Sequence, residues 1–337
     1  MPILARILKD RGVVSEKQLQ EAIQHQVLYG GRLGTSLYEL GMITEERLQD
    51  ALARAHGLPA GSVDPREIEP EAVQLLSKAL ATRHKACPYK VKGKTLRLLM
   101  LNPRDHLALA EIGFSIGHIV KPMVVPEFRM VQLLREHYAI DERWRYDDTH
   151  RPRAKPIAPL DLAEASARLD RATTRDEVLE TLVGAGLTFF KRVMLFIVRE
   201  PWLFGWSAAG EAADAKLTAG LRIPLDQPSV FQTVTRDRTM FVGRFGAEEQ
   251  NQAFLKAVGK RANTTAAIFP IAIKGRVVNL VYGDNGPNGN VRATLGELML
   301  LAQKAQRAYL RIIRRRIDET RIDSPEPVVN HASERES

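Results

Sequence analysis

The chain has few of the residues that build disulfides, thiolate metal sites or membrane spans. Cys87 is its single cysteine, so neither an internal disulfide nor a cluster of thiolate ligands can form. The longest apolar run, AAIFPIAI, is too short to cross a bilayer and contains a proline. The start, MPILARILKDRG, lacks the apolar core of a signal peptide. We therefore expect a cytoplasmic protein.

A recognisable set of catalytic residues is also absent from the sequence. Gly93, Lys94 and Thr95 imitate the end of a phosphate-binding loop, but position 88 holds proline where that motif requires glycine. The segment is better explained as a hairpin turn between two strands. Histidines occur singly, and the turn after Asp284 has one carboxylate, too few for calcium. We expect neither an enzyme nor a metal site.

The net charge of the chain says little about its partners. The 49 basic residues exceed the 40 acidic ones, for a net charge of +9 over 337 residues. The excess is spread over both halves of the chain and forms no long basic arm, which argues against a nucleic-acid partner. A DNA-associated regulator stays as an alternative that rests on charge alone. Salt-dependent retention on nonspecific DNA would test it.

A helical unit occurs twice at the N-terminus. The segments around Gly12 and Gly41 align without a gap at an offset of 29 residues. Each copy consists of a short helix ended by glycine, a turn with a Ser or Thr N-cap, and a longer amphipathic helix. A helix pair cannot cover its own apolar stripe, so the two units should pack on each other.

The second copy, RLGTSLYELGMITEERLQDAL, resembles the MshEN (GspE N-terminal) domain of type II secretion and type IV pilus ATPases. The similarity continues to about residue 140 through a small α/β module. Many members of this family bind cyclic di-GMP on the repeat. The resemblance therefore implies a ligand site at Arg32, Leu33, Gly34, Leu37, Gly41, Leu48, Leu52, Leu4, Leu8, Gly12, Leu19, Ile23 and Gln26.

The family pattern is incomplete in this chain. Ile3 and Ala5 replace the arginine and glycine of the first copy, and Ala55 replaces the glutamine of the second. Isoleucine cannot substitute for a guanidinium that binds guanine or phosphate in a bidentate manner. Two interpretations stay open: a cyclic di-GMP receptor, or a scaffold that docks on a partner. No other cofactor is expected.

Residues 141–159 mix charges with three prolines and predict a linker between two domains. Residues 160–318 then predict helices, strands, helices, a strand hairpin at Lys274-Gly275 and a long closing helix. This order resembles a GAF-like domain, which would hold a small ligand or form a homodimer. The alternation of Trp202, Phe204 and Trp206 predicts one face of a strand, more simply a core face than a docking surface.

The closing helix carries two stripes. Leu310, Ile313 and Ile317 form an apolar stripe that could pair two protomers, and Arg307, Arg311 and Arg315 form a basic one. The basic stripe is either a solvated face or a contact for an acidic partner or anionic lipid. Residues 319–337 predict a disordered tail.

The sequence thus predicts an α+β protein. A tandem helical repeat with a small α/β module precedes a GAF-like antiparallel sheet flanked by helices. The function expected first is a non-enzymatic bacterial regulator or adaptor that docks on a secretion or pilus motor component. The alternative is a cyclic di-GMP receptor that signals to the GAF-like domain.

Overall fold

The computed structural model describes residues 3–58, 64–140, 157–259, 265–286, 289, 291 and 295–322. Most of the predicted linker, Asn288 beside Asp284, and most of the predicted tail lie outside these ranges. The chain divides into two compact units, the first built mainly from residues before 143 and the second mainly from residues after it. In the described residues, no helix is long and apolar enough to span a membrane.

The first unit begins with the two helix pairs. They are followed by a 3₁₀ turn at Pro65–Glu67 and a small α/β module. The elements are α1 (Ile3–Asp10), α2 (Glu16–Tyr29), α3 (Leu33–Glu39), α4 (Glu45–His56), α5 (Pro70–Leu75), α6 (Lys78–His84), β1 (Ala86–Lys92), β2 (Thr95–Met100), α7 (His106–Ile116), β3 (Ile119–Val124) and α8 (Glu127–Tyr138).

The predicted repeat is confirmed down to single hydrogen bonds. Gly12 and Gly41 both have positive φ angles, 64° and 66°. The N–H groups of Gly12 and Val13 donate to the carbonyls of Lys9 and Leu8, each at 2.9 Å. In the second copy, the N–H groups of Gly41 and Met42 donate to the carbonyls of Tyr38 and Leu37, also at 2.9 Å each. This pair of hydrogen bonds is the Schellman motif that ends a helix. The motif requires a residue in the left-handed conformation, which glycine adopts readily.

The helix starts and the core repeat as well. Ser15 Oγ accepts the N–H of Gln18 at 3.2 Å, and Thr44 Oγ1 accepts the N–H of Arg47 at 3.4 Å. Four leucines at matching positions are buried together, with 1% exposure or less: Leu8, Leu19, Leu37 and Leu48. The apolar stripes of the two units thus cover each other, as their periodicity predicts.

The three strands of the first unit form a sheet in the order β1-β2-β3. Strands β1 and β2 pair antiparallel through a turn at Gly93, which confirms the predicted hairpin and excludes a phosphate loop there. Strand β3 pairs parallel to β2 after the crossover through α7. Cys87 is fully buried in β1, and its burial raises the pKa of the thiol to about 12.

The second unit follows the predicted order of elements, with one short helix that was not expected, α11. The elements are α9 (Leu162–Arg171), α10 (Arg175–Phe189), β4 (Arg192–Arg199), β5 (Trp202–Gly210), α11 (Ala215–Gly220), β6 (Arg222–Pro224), α12 (Val230–Asp237), β7 (Phe241–Arg244), α13 (Glu249–Ala257), β8 (Thr265–Ile273), β9 (Arg276–Asp284) and α14 (Leu295–Ile322).

Its six strands form an antiparallel sheet in the order β6-β5-β4-β9-β8-β7, which confirms the predicted fold class. The hairpin of β8 and β9 lies near the middle, as expected. Lys274 and Gly275 both have positive φ angles in its turn, 49° and 79°, as a type I′ turn requires. Thr174 caps α10 with the reciprocal bonds of a capping box to Glu177.

The predicted single face of Trp202, Phe204 and Trp206 is wrong. Trp202 is 43% exposed, whereas Trp206 is buried. The register of β4 and β5 shifts between the pairs Leu195–Ser207 and Phe196–Gly205, so Trp206 is an extra residue in a β-bulge. A bulge reverses the alternation of side chains along the strand, and no pattern of residues in β5 indicates it.

The interior on one side of this sheet is filled by aromatic rings. Phe196, Phe231, Phe245, Phe254 and Tyr282 pack with centroid separations of 4.9–6.2 Å. They belong to one buried cluster that includes side chains from the sheet and from α12 and α13. Edge-to-face contacts of this kind add specific stabilisation to the buried area.

One buried ion pair lies at the end of β4 and β9 in the second unit. Arg192 Nε donates to Asp284 Oδ2 at 2.9 Å, and its Nη1 donates to the carbonyl of Val258 at 3.0 Å. Asp284 is therefore bound to a buried guanidinium.

Helix α14 buries a different stripe from the predicted one. Ile313 is 4% exposed and packs within its own protomer, with Tyr309, Ala305 and Leu301 on the same side. It therefore cannot be the residue that pairs two protomers. Leu310 is 38% exposed and Met299 is 55% exposed. Arg311 donates to the carbonyls of Leu169 and Ala172, so it caps the end of α9 and does not belong to a purely solvated stripe.

Candidate functional site

A cavity of about 280 Å³ opens where the second helix pair meets the loops of the α/β module. Its volume is close to the lower limit for small-molecule sites, so it would enclose only part of a dinucleotide. It is lined by Ile3, Leu4, Arg32, Leu33, Gly34, Thr35, Leu48, Leu52, Ala55, His56, Leu101, Arg104, Val124, Val125, Pro126 and Glu127.

Arg32 lies at the entrance to α3 and is held in two ways. Its backbone N–H donates to Glu127 Oε2 at 2.9 Å, and Thr35 Oγ1 donates to the same oxygen at 3.1 Å. Glu127 thus supplies the N-terminal cap that the side chain of Arg32 does not provide. The Arg32 guanidinium donates to the carbonyl of Leu101 at 2.9 Å through Nη1, which is one of its five N–H donors.

Gly34 allows the helices of this unit to approach closely. A Cβ atom at this position would lie 2.8 Å from Leu48 Cδ1. The first copy has Ala5 at the equivalent position, where the side chain is fully buried. The Arg-Leu-Gly corner of the second copy therefore combines close helix packing with one surface cation.

Arg104 brings a second cation to the cavity. Its Nη2 donates to the carbonyl of Ala55 at 3.3 Å, and its Nε contacts the carbonyl of His56 at 3.4 Å. A cation at the C-terminus of α4 is favourable because the last carbonyls of a helix carry partial negative charge. Arg104 thus lies beside Ala55, the position at which the family pattern has a glutamine.

His56 completes the polar side of the cavity. Within the described residues, its Nδ1 has no hydrogen-bond partner although the atom is buried. Burial lowers the pKa of His56, and the nearby Arg104 and Arg32 lower it further. The imidazole is therefore neutral at pH 7 and can offer a donor or an acceptor to a ligand.

The structure divides the predicted site residues into three groups. Those that line the cavity are Arg32, Leu33, Gly34, Leu4, Leu48 and Leu52. Those that lie in the helical core away from the cavity lining are Leu8, Leu19, Ile23 and Leu37. Gly12 and Gly41 form the two turns, and Gln26 Nε2 donates to the carbonyl of Gly31 at 3.0 Å.

The three ionisable residues of the cavity that sequence reasoning missed are Arg104, His56 and Glu127. Arg104 lies 48 residues after His56, whose carbonyl it contacts. Glu127 lies 95 residues after Arg32, whose backbone N–H it accepts. No spacing rule connects such distant positions. Among the described residues, no cluster of histidine, cysteine or carboxylate side chains is arranged to hold a metal ion.

Comparison with known families gives one domain match. Residues 56–144 match the MshEN domain. The match confirms the family resemblance predicted for the N-terminal region, and it covers the α/β module and not the helical repeat. The type IV pilus assembly ATPase PilB of Myxococcus xanthus is 29% identical over 136 residues. These are 40% of this chain and 24% of the relative, so the chain spans about a quarter of that protein.

Two solved structures show partial likeness. The structure of MshE with cdg is 31% identical and has a TM-score of 0.32, covering 40% of this chain and 98% of that one. The GAF domain of a phosphoenolpyruvate-protein phosphotransferase from Coxiella burnetii is 11% identical with a TM-score of 0.36. It covers 47% of this chain and 94% of its own.

Proposed function

We propose that this chain is a non-catalytic adaptor that binds a component of a type IV pilus or type II secretion motor through its N-terminal unit. The observation that carries the proposal is the MshEN match at residues 56–144, together with the similarity to a pilus assembly ATPase. The second unit would relay or stabilise that contact as a GAF-like module.

The chemistry of the described residues supports a binding role. In the second unit the buried Arg192 is held by a hydrogen bond to Asp284. The aromatic cluster packs against itself where a ligand pocket could otherwise lie. A packed interior of this kind stabilises the fold, as a binding module requires.

A binding measurement tests the adaptor proposal. The full chain would be immobilised and titrated with the purified pilus assembly ATPase of the same organism, using biolayer interferometry. We expect saturable binding that an excess of the soluble chain competes away. An ATPase with a substituted nucleotide-binding lysine should bind equally well, because the contact does not require turnover. Absence of binding to both the pilus and the secretion ATPase would contradict the proposal.

A second function is favoured by the cavity at α3 and α4. Arg32 and Arg104 bring two guanidinium groups to one concave, mainly apolar site, with a neutral imidazole beside them. Guanidinium groups bind phosphate and guanine through paired hydrogen bonds. We propose on this basis that the chain binds cyclic di-GMP, with the cavity enclosing one half of the dinucleotide.

Isothermal titration calorimetry with cyclic di-GMP tests this second function. We expect a saturable heat of binding for the wild-type chain and a weaker one for Arg104→Gln, which removes a cation but retains an amide donor. Arg66→Gln is a matched control, because Arg66 is exposed and pairs with Asp64 away from the cavity. No heat at high ligand concentration would rule out the nucleotide function and leave the adaptor proposal intact.

A further inference from the structure

The α/β module contains a long segment without acidic residues. Between Glu71 and Asp105 the sequence has no aspartate or glutamate but eight lysines and arginines. Several of these cations have partners: Lys90 contacts Glu67 at 2.6 Å, and Arg83 contacts Glu111 at 2.5 Å. Three others, Lys92, Lys94 and Arg97, lie on the hairpin of β1 and β2.

The strand registers place cations side by side on one face of the sheet. Arg97 of β2 is opposite Lys121 of β3, and it is also opposite Lys90 of β1. Two residues along β2 from Arg97, Thr95 is opposite Lys92 of β1 and Ile119 of β3. Because side chains alternate along each strand, all these residues share one face. Lys90 is already paired with Glu67. We therefore define the other five residues, Lys92, Arg97, Lys121, Thr95 and Ile119, as the cationic sheet face.

This face is open to solvent. Lys92, Arg97 and Lys121 are exposed, and Ile119 has 65% of its surface exposed. In the described part of the chain, the side chains of these three cations make no hydrogen bond or ion pair. Like charges directly opposite each other on neighbouring strands, with Cβ atoms about 5 Å apart, destabilise a sheet. The fold therefore retains an arrangement that costs stability.

The free edge of the sheet is not suited to pairing with another strand. The N–H groups of Ile119 and Val125 point to β2, where they donate to the carbonyls of Lys94 and Met100. The backbone N–H groups of the alternate residues of β3 point to the free edge. Pro122 is one of these residues and has no N–H to donate. Recognition at this strand must therefore use side chains and not an added strand.

We propose that the cationic sheet face is a docking surface for an acidic segment of a partner protein. Carboxylates of the segment would pair with Arg97 and Lys121, and an apolar side chain of the segment would cover Ile119. The proposal names a surface and a partner chemistry beyond the adaptor function, and it rests on that function only for the existence of a protein partner.

The composition of the face favours protein over the other polyanions. Proteins that bind single-stranded nucleic acid stack bases on exposed aromatic rings, and no residue of the cationic sheet face is aromatic. Surfaces that enter a membrane carry several large apolar side chains, whereas this face exposes a single isoleucine. Carboxylates opposite a pair of cations gain steering and specificity from complementary charge.

Fluorescence anisotropy on the full chain tests the proposal. The probe is a short labelled peptide of alternating glutamate and leucine, and the comparison peptide has glutamine in place of each glutamate. We expect saturable binding of the acidic peptide that weakens steeply with salt. The double variant Arg97→Glu/Lys121→Glu should bind about tenfold more weakly or worse, because both attractions become repulsions.

Two controls separate docking from net charge and from unfolding. Lys256→Glu/Arg276→Glu changes the net charge equally at exposed residues of the second unit and should bind within about twofold of wild type. The single variant Lys121→Glu places a carboxylate opposite Arg97, so its melting temperature should equal or exceed that of wild type while its binding falls.

Three results would overturn the proposal. One is an equal loss of binding in the two double variants. Another is equal affinity for the acidic and the glutamine peptide. The third is tighter binding of anionic phosphatidylglycerol vesicles or of oligothymidylate than of the acidic peptide. The peptide assay uses no motor protein. A negative peptide result therefore leaves the adaptor proposal untouched, and a negative titration with the motor ATPase leaves a positive peptide result untouched.

Discussion

At the scale of single residues, Arg32 is the sharpest test of nucleotide binding. We expect Arg32→Ala to weaken cyclic di-GMP binding by about 1.5–3 kcal/mol, the range for a hydrogen bond to a charged group. Calorimetry would measure this change. Arg54→Ala is the control, because Arg54 pairs with Asp50 on the exposed side of α4, outside the cavity.

An equal loss in both arginine variants would mean that general charge, and not the cavity, attracts the nucleotide. Arg32 also holds the carbonyl of Leu101, so thermal melting of each variant should accompany the calorimetry. A variant that melts normally and binds weakly has lost a ligand contact and not a structural one.

For Leu37 we expect a loss of folding stability. It is fully buried between the two helical units, and Leu37→Ala should lower the free energy of unfolding by about 2–5 kcal/mol through the cavity it leaves. Denaturation in urea would measure the change. Leu107→Ala is the control, because that leucine is 85% exposed and should change stability by no more than about 0.5 kcal/mol. Similar values for both variants would contradict the observed packing.

At the scale of elements, Gly205 fixes the path of β5 beside α11. A Cβ atom at Gly205 would overlap the carbonyl oxygen of Thr218, and the Gly205 N–H donates to the carbonyl of Leu221 at 3.1 Å. We therefore expect Gly205→Ala to destabilise the second unit by about 1–3 kcal/mol, since the backbone must shift. Gly296→Ala meets nothing within 4 Å and should be neutral or stabilising in the calorimetric melt.

Helix α14 changes how self-association should be tested. Ile313→Asp would place a carboxylate in the core and unfold the protomer, so it cannot report on pairing. Met299 and Leu310 lie about three turns apart on one exposed side of the helix. If two protomers pair there, Met299→Asp/Leu310→Asp should sediment as a folded monomer. A double variant that still sediments as a dimer would exclude this helix as the interface.

At the scale of the whole molecule, the composition of residues 141–159 predicts that the two units can be separated. Limited proteolysis should cut first in this segment, because its prolines and charges offer few apolar contacts. Two stable fragments of about residues 1–140 and 160–322 should then be seen by mass spectrometry. First cleavage inside either unit would contradict the predicted boundary.

Features that depend on near neighbours could be predicted from the sequence. The repeat around Gly12 and Gly41, the caps at Thr44 and Thr174, and the turn at Lys274 all follow from residues within one or two turns of each other. Hydrogen bonds to a helix end or within a hairpin impose a fixed residue type at a fixed spacing. For the same reason the order of helices and strands was predictable nearly throughout.

Features that depend on distant contacts were decided only by the tertiary structure. Arg104 reaches the cavity because β2 and the following loop pack near the end of α4, and Glu127 caps α3 from 95 residues away. The bulge at Trp206 and the burial of Ile313 are likewise set by the neighbouring strand and the packed core. The side chain that a residue meets across a packed interface depends on the path of the whole chain, and periodicity along one element does not contain that information.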